Sequence, residues 1–207
     1  MVENYMKQSA LAHLGLNARS APQEPVGIEL SELAAGGHIG LRLDATNKII
    51  REAAEKALGH PLPLEPNTVT SKGKKQALWM GPDEWLLTMP ADQTAKLLTA
   101  LSKALDDYHA AVFDVSDSRL TLCLSGTHAR DVLKKGCGLD LHPRAFGPGQ
   151  CAQSTLSMAH VLIHQSAENK KTKAATYHLY VHRSFAHYLW TWLEDACDEY
   201  GVKVGVG

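Results

Sequence analysis

The chain has 207 residues, of which 44% are hydrophobic and 21% are charged, as in an ordinary globular protein with a substantial core. Its formal net charge of -1 argues against binding to nucleic acid or to an anionic membrane surface, because both need a cationic excess. No apolar stretch approaches the roughly 18 residues of a membrane-spanning helix. The basic run Lys170, Lys171 and Lys173 is expected to be a solvated loop.

The start of the chain and its cysteines predict a cytoplasmic protein. The first 16 residues mix charged and polar groups with apolar ones, which is not the pattern of a signal peptide. Cys123, Cys137, Cys151 and Cys197 lie far apart and form no C-x-x-C pair. Free thiols in a reducing compartment are therefore expected, and a zinc site built on cysteine is not.

The first half of the chain is predicted to contain a strand, a helix, a hairpin and a second helix. The alternating strand begins at His38, and Asp44 or Thr46 is expected to cap the helix that follows it. The hairpin turns at residues 81–83, and the second helix covers about 92–107. The residues expected to be buried by the first helix are Ile49, Ile50, Ala53, Ala57 and Leu58.

The second half is predicted to repeat this order of elements. The strand RLTLCLS is followed by a short helix over 127–135, and MAHVLIHQ and TYHLYVH then form a hairpin. Ser184 is expected to cap the last helix. The residues expected to be buried by that helix, which is expected to end at Gly201, are Phe185, Leu189, Trp192, Leu193, Ala196 and Tyr200.

The repeated order indicates an internal duplication, with halves at about 38–107 and about 119–200. Neither half can cover both faces of its own sheet, so we expect the two to pack together. The predicted fold class is α+β, with pseudo-duplicated strand–helix–hairpin–helix units that form antiparallel sheets with packed helices. Residues 1–36 are expected to be an N-terminal arm, and residues 37–207 a single domain.

The chain contains no self-sufficient catalytic motif. It has no P-loop, no G-x-G-x-x-G that opens a helix after a strand, no G-x-S-x-G and no H-E-x-x-H. Gly147-Pro148-Gly149 precedes a strand, so it cannot present a helix N-terminus to a phosphate.

Four histidines lie on one face of the second predicted hairpin. Antiparallel pairing about residue 171 places His160 opposite His182 and His164 opposite His178. Their Cβ atoms would lie about 4.5–5.5 Å apart, close enough to share a zinc or copper ion. No carboxylate alternates with them to orient a metal ligand. We therefore favour the alternative, in which the neighbouring apolar residues face the core and the histidines face solvent or a partner.

Two polar stretches are more typical of turns than of catalytic sites. Asp114 and Asp117, with adjacent serines, are expected to form a hydrogen-bonded turn at a strand end. In DLHPRAFGPGQC (140–151), the prolines and glycines predict a stiff link, with His142 held extended by the proline after it. Arg144 could clamp a carboxylate or a phosphate, but we expect it to hold loop carbonyls.

The four tryptophans, Trp79, Trp85, Trp190 and Trp192, are expected to anchor the core or an interface rather than to form a cofactor cage. At least one of Trp190 and Trp192 must point away from the core, because residues two positions apart on a helix do not lie on the same face. This arrangement favours a protein partner.

Three runs, taken in order, resemble a known family. They are GPDEWLLTMP from Gly81, DLHPRAFGPGQCAQSTLSMAHVLI from Asp140 and HRSFAHYLWTWLEDACDEYG from His182; the early SALAHLGL and the length also fit. Together they resemble the gamma subunit family of heterotetrameric sarcosine oxidase over nearly the whole chain. The resemblance implies the fold of the aminomethyltransferase (T-protein) folate-binding domains.

For function, the resemblance implies a complex that oxidatively demethylates sarcosine to glycine with oxygen and makes hydrogen peroxide. With tetrahydrofolate, the methyl carbon leaves as 5,10-methylenetetrahydrofolate. The implied partners are alpha, beta and delta subunits, with FAD, FMN, NAD and the folate in the alpha and beta subunits and zinc in the delta subunit. This chain is then expected to be a non-catalytic structural subunit, with no catalytic, cofactor-binding or metal-binding residue of its own.

A second hypothesis is a free-standing folate-binding or aminomethyltransferase-like protein. Lys135-Gly136-Cys137 resembles the K-G-C motif of folate-binding iron–sulfur-assembly relatives. In those relatives a Gly-Gln pair follows closely, whereas here Gly149-Gln150 comes late. The departure from the motif makes this hypothesis the weaker of the two.

Overall fold

A computed structural model of the chain describes residues 8–19 and 26–206. The described residues divide into two compact units. Residues 36–119 and 149–153 form one, which we call the five-stranded unit after its sheet. The described residues within 1–35 and 120–148, together with 154–206, form the other, which we call the six-stranded unit.

The bounds of the regular elements are as follows. The strands are β1 (Ile28–Glu32), β2 (Gly37–Leu43), β3 (Val69–Lys72), β4 (Lys75–Gly81), β5 (Glu84–Met89), β6 (Ala110–Asp114), β7 (Arg119–Gly126), β8 (Gln150–Leu156), β9 (Ala159–Glu168), β10 (Ala175–His182) and β11 (Val202–Val206). The helices are α1 (Lys48–Leu58), α2 (Thr94–Leu105), α3 (Ala129–Lys134) and α4 (Ala186–Cys197). In the part of the chain that the structure describes, no helix has the length and apolarity to cross a bilayer.

The five-stranded unit is an antiparallel sheet with two helices packed on it. Its strand order is β3-β4-β5-β2-β6, and each neighbouring pair is antiparallel. Alternate residues of β2, β4 and β5 point to one face and meet α1 and α2 there, as the period of a half-buried strand requires. The shared core consists of Ile39, Leu41, Leu43, Ile50, Ala54, Leu58, Leu62, Ala77, Trp85, Leu87, Met89, Leu97, Leu101 and Leu105.

The six-stranded unit has the order β11-β1-β7-β10-β9-β8. Strand β1 pairs antiparallel with β7 on one side and parallel with β11 on the other. The long β9–β10 hairpin carries a bulge between Thr176 and Tyr177, where the pairing shifts by one residue.

The two units repeat one order of elements. The series β2-α1-β3-β4-β5-α2-β6 and the series β7-α3-β8-β9-β10-α4-β11 are both strand, helix, three strands, helix, strand. The sheet orders also correspond, except that β1 lies between β7 and β11 where β2 and β6 are direct neighbours. The predicted α+β class with duplicated antiparallel sheets is confirmed, and each repeat is larger than the predicted strand–helix–hairpin–helix unit.

The sequence patterns missed short strands at the sheet edges. β3 and β11 have no fully buried residue, so their sequences lack the apolar alternation that identifies a strand. β1 was included in the predicted arm over 1–36, but Ile28 and Leu30 are 1% and 0% exposed, so this part is a sheet strand. Residues 1–7 and 20–25 of the arm lie outside the described residues. The single-domain boundary at 37–207 stays a prediction.

The cap of α1 differs from the predicted one. Asn47 is the N-cap, and its side-chain oxygen accepts hydrogen bonds from the N–H groups of Ile49 and Ile50. Asp44 instead accepts bonds from the amide and hydroxyl of Thr46, which makes a turn before the helix. With this start, Ile49 is 66% exposed, and the prediction that it is buried is wrong.

The last helix is also shifted relative to its prediction. Residues Arg183–Phe185 form a 3-10 turn, and α4 begins after it, so Ser184 is not the N-cap. The turn changes which positions face the core. Phe185 is exposed and Trp192 and Tyr200 are half-buried, whereas the buried residues of α4 are Ala186, Leu189, Trp190, Leu193, Ala196 and Cys197.

Candidate functional site

The histidine face of the β9–β10 hairpin has the predicted register but not the predicted exposure. His164 lies directly opposite His178, and the ring centroids are 5.7 Å apart in an edge-on arrangement. His160 and His182 are exposed, whereas His164 is only 2% exposed. The expectation that all four face solvent or a partner is therefore wrong for His164.

The environment of His164 favours a neutral imidazole. Burial, and secondarily the proximity of His178, lower the pKa of His164 to about 4. Burial also lowers the pKa of His178, whose Nε2 lies 3.5 Å from the Ser166 hydroxyl. Among residues 8–19 and 26–206, no cluster of three or more histidine, cysteine or carboxylate side chains is placed to hold a metal ion. The pair is arranged as a buried polar contact.

The residues that follow β6 form a turn that is hydrogen-bonded to the backbone of β2. Asp114 Oδ1 accepts hydrogen bonds from the amide and the hydroxyl of Ser116, at 2.8 and 2.5 Å. The same hydroxyl accepts the His38 N–H at 2.9 Å. Serine, histidine and aspartate thus lie together, but the hydroxyl meets the backbone of His38 rather than its ring. This is the hydrogen-bonded turn predicted from the sequence, without the geometry of a nucleophile and base.

His38 itself is buried at this turn. Burial, followed by the nearby Arg119 guanidinium, lowers its pKa to about 4, and Asp114 opposes the shift. A neutral imidazole with that pKa would be a poor proton acceptor near neutral pH.

The stretch after α3, residues 140–151, contains hydrogen bonds among its own residues. Leu141 and Phe146 are buried and anchor it, while His142 and Arg144 are exposed. Asp140 accepts the His142 N–H at 2.9 Å, and His142 Nδ1 accepts the amide and the Nε–H of Arg144 at 3.2 and 3.3 Å. Arg144 therefore holds the imidazole of the same loop, and the prediction that it holds loop carbonyls is not what these bonds show.

The thiol at the end of the stretch is buried. Cys151 is fully buried in the five-stranded unit, where its Sγ lies 3.5 Å from the carbonyls of Thr68 and Trp79. Burial raises its pKa to about 12, so thiolate chemistry at neutral pH is not supported.

The K-G-C residues have structural contacts in the six-stranded unit. Lys135 Nζ donates to the Ala196 carbonyl at 2.6 Å and pairs with the Glu199 carboxylate. Gly136 lies under Trp192, so closely that a Cβ at this position would be 2.6 Å from the indole. The backbone of Cys137 pairs with that of Leu156, at the end of β8, in an isolated antiparallel β-bridge. The three residues therefore link α3 to α4 and β8.

Near these residues lies an apolar surface, which we call the α4 aromatic surface and define as Met158, Phe185, Tyr188 and Trp192. Met158 is 76% exposed at the β8–β9 turn, and Phe185 and Tyr188 are each 38% exposed. The Ser157 and Tyr188 hydroxyls are hydrogen-bonded at 2.7 Å, and Ser157 has a positive φ of 53°. The turn is thereby fixed to the helix with Met158 outward.

The sequence indicated only part of this surface. The Trp190 and Trp192 spacing predicted one outward tryptophan, and Trp190 is the buried member of the pair. Met158 was missed, although a methionine in a two-residue turn between strands is a detectable signal. Met, Tyr and Trp are residue types that are enriched where proteins bind each other.

The fold defines the class of protein. The structure aligns with aminomethyltransferase T of the glycine cleavage system from Bartonella henselae with a TM-score of 0.65 and 14% identity, over 95% of this chain and 50% of that one, so the two share a fold. The chain belongs to the sarcosine oxidase gamma subunit family, whose sequence profile matches residues 42–199. The predicted family and the predicted T-protein-like fold are both confirmed.

Individual relatives agree with this membership. The chain is 34% identical to the sarcosine oxidase subunit gamma of Corynebacterium sp. (strain P-1) over 85% of its own length and 83% of the relative's. It is 32% identical to that of strain U-96 over 95% and 93%. The heterotetrameric sarcosine oxidase of Corynebacterium sp. U-96, solved with pyrrole 2-carboxylate, contains a chain that matches with a TM-score of 0.83 and 30% identity, over 94% of this chain and 96% of that one.

Proposed function

We propose that this chain is a non-catalytic structural subunit of a heterotetrameric sarcosine oxidase. The observation that carries the proposal is its membership in the gamma subunit family over residues 42–199. The contacts of its polar stretches support a structural role, because Ser116, Arg144 and Lys135 each bond to neighbouring parts of this chain. The assembled enzyme would oxidatively demethylate sarcosine to glycine with oxygen, and would transfer the methyl carbon to tetrahydrofolate when that is present.

The proposal places the chemistry in the partner subunits. FAD, FMN, NAD and tetrahydrofolate would lie in the alpha and beta subunits and zinc in the delta subunit. The absence of cofactors and of catalytic residues from this chain stays a prediction, as does its cytoplasmic location.

The α4 aromatic surface is the part of this chain that best fits contact with another subunit. Exposed Met158 and the flanking aromatic side chains would remove apolar area from water on assembly, at about 25 cal/mol per Å². The Ser157–Tyr188 hydrogen bond fixes the turn before binding, so less conformational entropy is lost on association.

Co-expression with the other three subunits tests the proposal. The wild-type chain should co-purify with the flavin-containing subunits, and Met158→Glu should weaken assembly about tenfold or more by burying a charge in an apolar contact. Ile49→Glu is the matched control, because Ile49 is an equally apolar side chain that is 66% exposed on α1. Complexes that do form with the Met158 variant should turn over sarcosine at the wild-type rate.

Two results would contradict the proposal. One is a wild-type chain that co-purifies with none of the flavin-containing subunits. The other is tight tetrahydrofolate binding by the isolated chain, which would favour the free-standing folate-binding hypothesis. Equal assembly of the Met158 and Ile49 variants would remove the α4 aromatic surface from the proposal and leave the family role intact.

A further inference from the structure

The β3–β4 hairpin concentrates positive charge at its tip. Lys72, Lys74 and Lys75 surround Gly73, which has the positive φ of 62° that a tight two-residue turn uses at its first central position. Lys72 and Lys75 are direct cross-strand partners. We call these three residues the lysine hairpin.

The lysine hairpin is held firmly to the rest of the five-stranded unit. Lys72 Nζ donates a hydrogen bond to the Gly59 carbonyl at 2.9 Å. A cation is stabilising at this position, because the C-terminus of α1 is the negative end of the helix dipole. The Thr70 hydroxyl donates to the Pro61 carbonyl at 2.6 Å. The positive tip is therefore a preorganised surface rather than a loose loop.

Apart from the contact of Lys72 with the end of α1, the charge of the lysine hairpin lacks a countercharge among the described residues. Over residues 8–19 and 26–206, none of its three lysines forms an ion pair with a carboxylate. His60 is buried beside the hairpin. Burial is the largest cause that lowers the pKa of His60, and the positive charges of Lys75 and Lys72 lower it further. Three cationic side chains therefore lie within four consecutive residues, 72–75.

Such an arrangement costs stability. Like charges directly opposite each other on paired strands are destabilising. Lys72 has a local gain at the end of α1, but Lys74 and Lys75 have no partner of this kind among the described residues. A local rule that is broken without such a gain is expected at functional positions, where the gain comes from binding.

We propose that the lysine hairpin docks on an acidic surface of another subunit of the oxidase. This inference rests on the proposed structural role. An acidic protein surface supplies the missing countercharge, and complementary charge of this kind sets the rate and specificity of association. Nucleic acid and anionic membranes are less suitable partners, because the whole chain has a net charge of -1 and the basic area is confined to one turn.

Assembly of the full complex with Lys74→Glu/Lys75→Glu tests this inference. These two lysines are chosen because Lys72 also stabilises the end of α1. The variant should assemble about tenfold more weakly than the wild type at low salt, and its assembly should depend less on salt between about 0.05 and 0.5 M. Lys170→Glu/Lys171→Glu is the matched control, with the same charge change on an exposed loop of the six-stranded unit.

Each outcome decides the inference. A wild-type chain that does not assemble contradicts the proposed function itself, whereas a wild type that assembles and a hairpin variant that matches the control contradict only the docking site. Lys74→Gln/Lys75→Gln, measured beside circular dichroism, should show a smaller loss in the same direction; if the glutamate variant misfolds, unimpaired assembly of the glutamine variant overturns the inference. Binding of the wild type to heparin or phosphatidylserine vesicles that the hairpin variant loses, with assembly unchanged, would also overturn it.

Discussion

The β4–β5 hairpin and the β9–β10 hairpin occupy corresponding places in the two repeats, but they meet their helices differently. Ala77, Trp85 and Leu87 of the first hairpin belong to one wholly apolar cluster with residues of α1 and α2. The second hairpin places Gln165 opposite Tyr177, and both are fully buried. On the side that faces its helices, the first hairpin thus meets an apolar cluster, whereas the second hairpin buries a glutamine and a tyrosine.

A charged network accompanies the polar side of the second hairpin. Arg130 of α3 lies 3.5 Å from the Gln165 side-chain oxygen and 3.9 Å from a Glu168 carboxylate oxygen. The Arg130 and Glu168 side chains are only 12% and 15% exposed. Gln165 also donates to Glu168 at 3.5 Å. Each member therefore depends on the others for its hydrogen bonds.

Helix length explains the difference between the two hairpins. α1 has 11 residues and places Ile50, Ala54 and Leu58 on its sheet, three positions at helical spacing. α3 has only 6 residues, too few for a third turn of apolar contacts. The long side chain of Arg130 extends over the hairpin instead. A duplicated fold can therefore keep its topology while the interactions that stabilise each copy differ.

The largest expected effect is in the apolar cluster of the five-stranded unit. Trp85→Ala should lower the free energy of unfolding by about 4 kcal/mol, because the indole is 1% exposed and its Nε1 donates to the Pro63 carbonyl at 2.8 Å. Urea unfolding measures the change, with exposed Ile49→Ala as the control at about 0.5 kcal/mol or less. A loss below about 1 kcal/mol would mean that this core does not stabilise the chain as described.

Acid should reveal the polar character of the second hairpin. The pKa of His164 is about 4 in the folded chain, below its ordinary value of 6.5, so the unfolded chain binds more protons between these pH values. The free energy of unfolding should therefore fall as the pH drops from 6.5 to 4, by up to about 3 kcal/mol from this residue, and level off below.

The variant His164→Leu should remove this part of the acid sensitivity. The corresponding outer face of the β4–β5 hairpin already pairs Leu78 with Leu86, so leucine suits the position. Unfolding measured from pH 7 to pH 4 should show a flatter profile for this variant than for the wild type, with exposed His160→Leu as control. Parallel profiles for all three proteins would be incompatible with a buried neutral His164.

The charged network should show strong coupling. Glu168→Ala should cost about 2 kcal/mol, because it leaves the Arg130 guanidinium buried without its carboxylate. The double variant Arg130→Met/Glu168→Ala should cost less than Glu168→Ala alone, since it removes both charges together. Urea unfolding of the two single variants and the double variant gives the coupling; additive losses would show that the network does not act as a unit.

The smallest effect is expected in the exposed loop after α3. His142→Ala and Arg144→Ala should each change the free energy of unfolding by no more than about 0.5 kcal/mol, because their hydrogen bonds are local and exposed to water. Thermal unfolding compares them with Glu168→Ala. A loss as large as that of the buried network would refute the distinction between polar groups that are buried and those that are exposed.

The sequence could predict the family, the α+β class and the repeated order of elements. Long runs such as GPDEWLLTMP specify a family, and the alternation around Ile39, Leu41 and Leu43 identifies a strand because burial on one face imposes a period of two. The turn at Asp114 and Ser116 was predictable for a similar reason, since short polar side chains bond to nearby backbone groups. These are local signals.

The positions that the sequence did not determine depend on distant partners. His164 of β9 pairs with His178 of β10, and Arg130 of α3 contacts Gln165 of β9. Both contacts join segments that are distant in sequence, so no local pattern shows them. The exposure of Met158 and the uncompensated charge of Lys74 also depend on which side chains fail to come near. Periodicity in the sequence therefore determined the elements and their order, whereas tertiary packing decided which polar groups are buried and which surfaces are left for a partner.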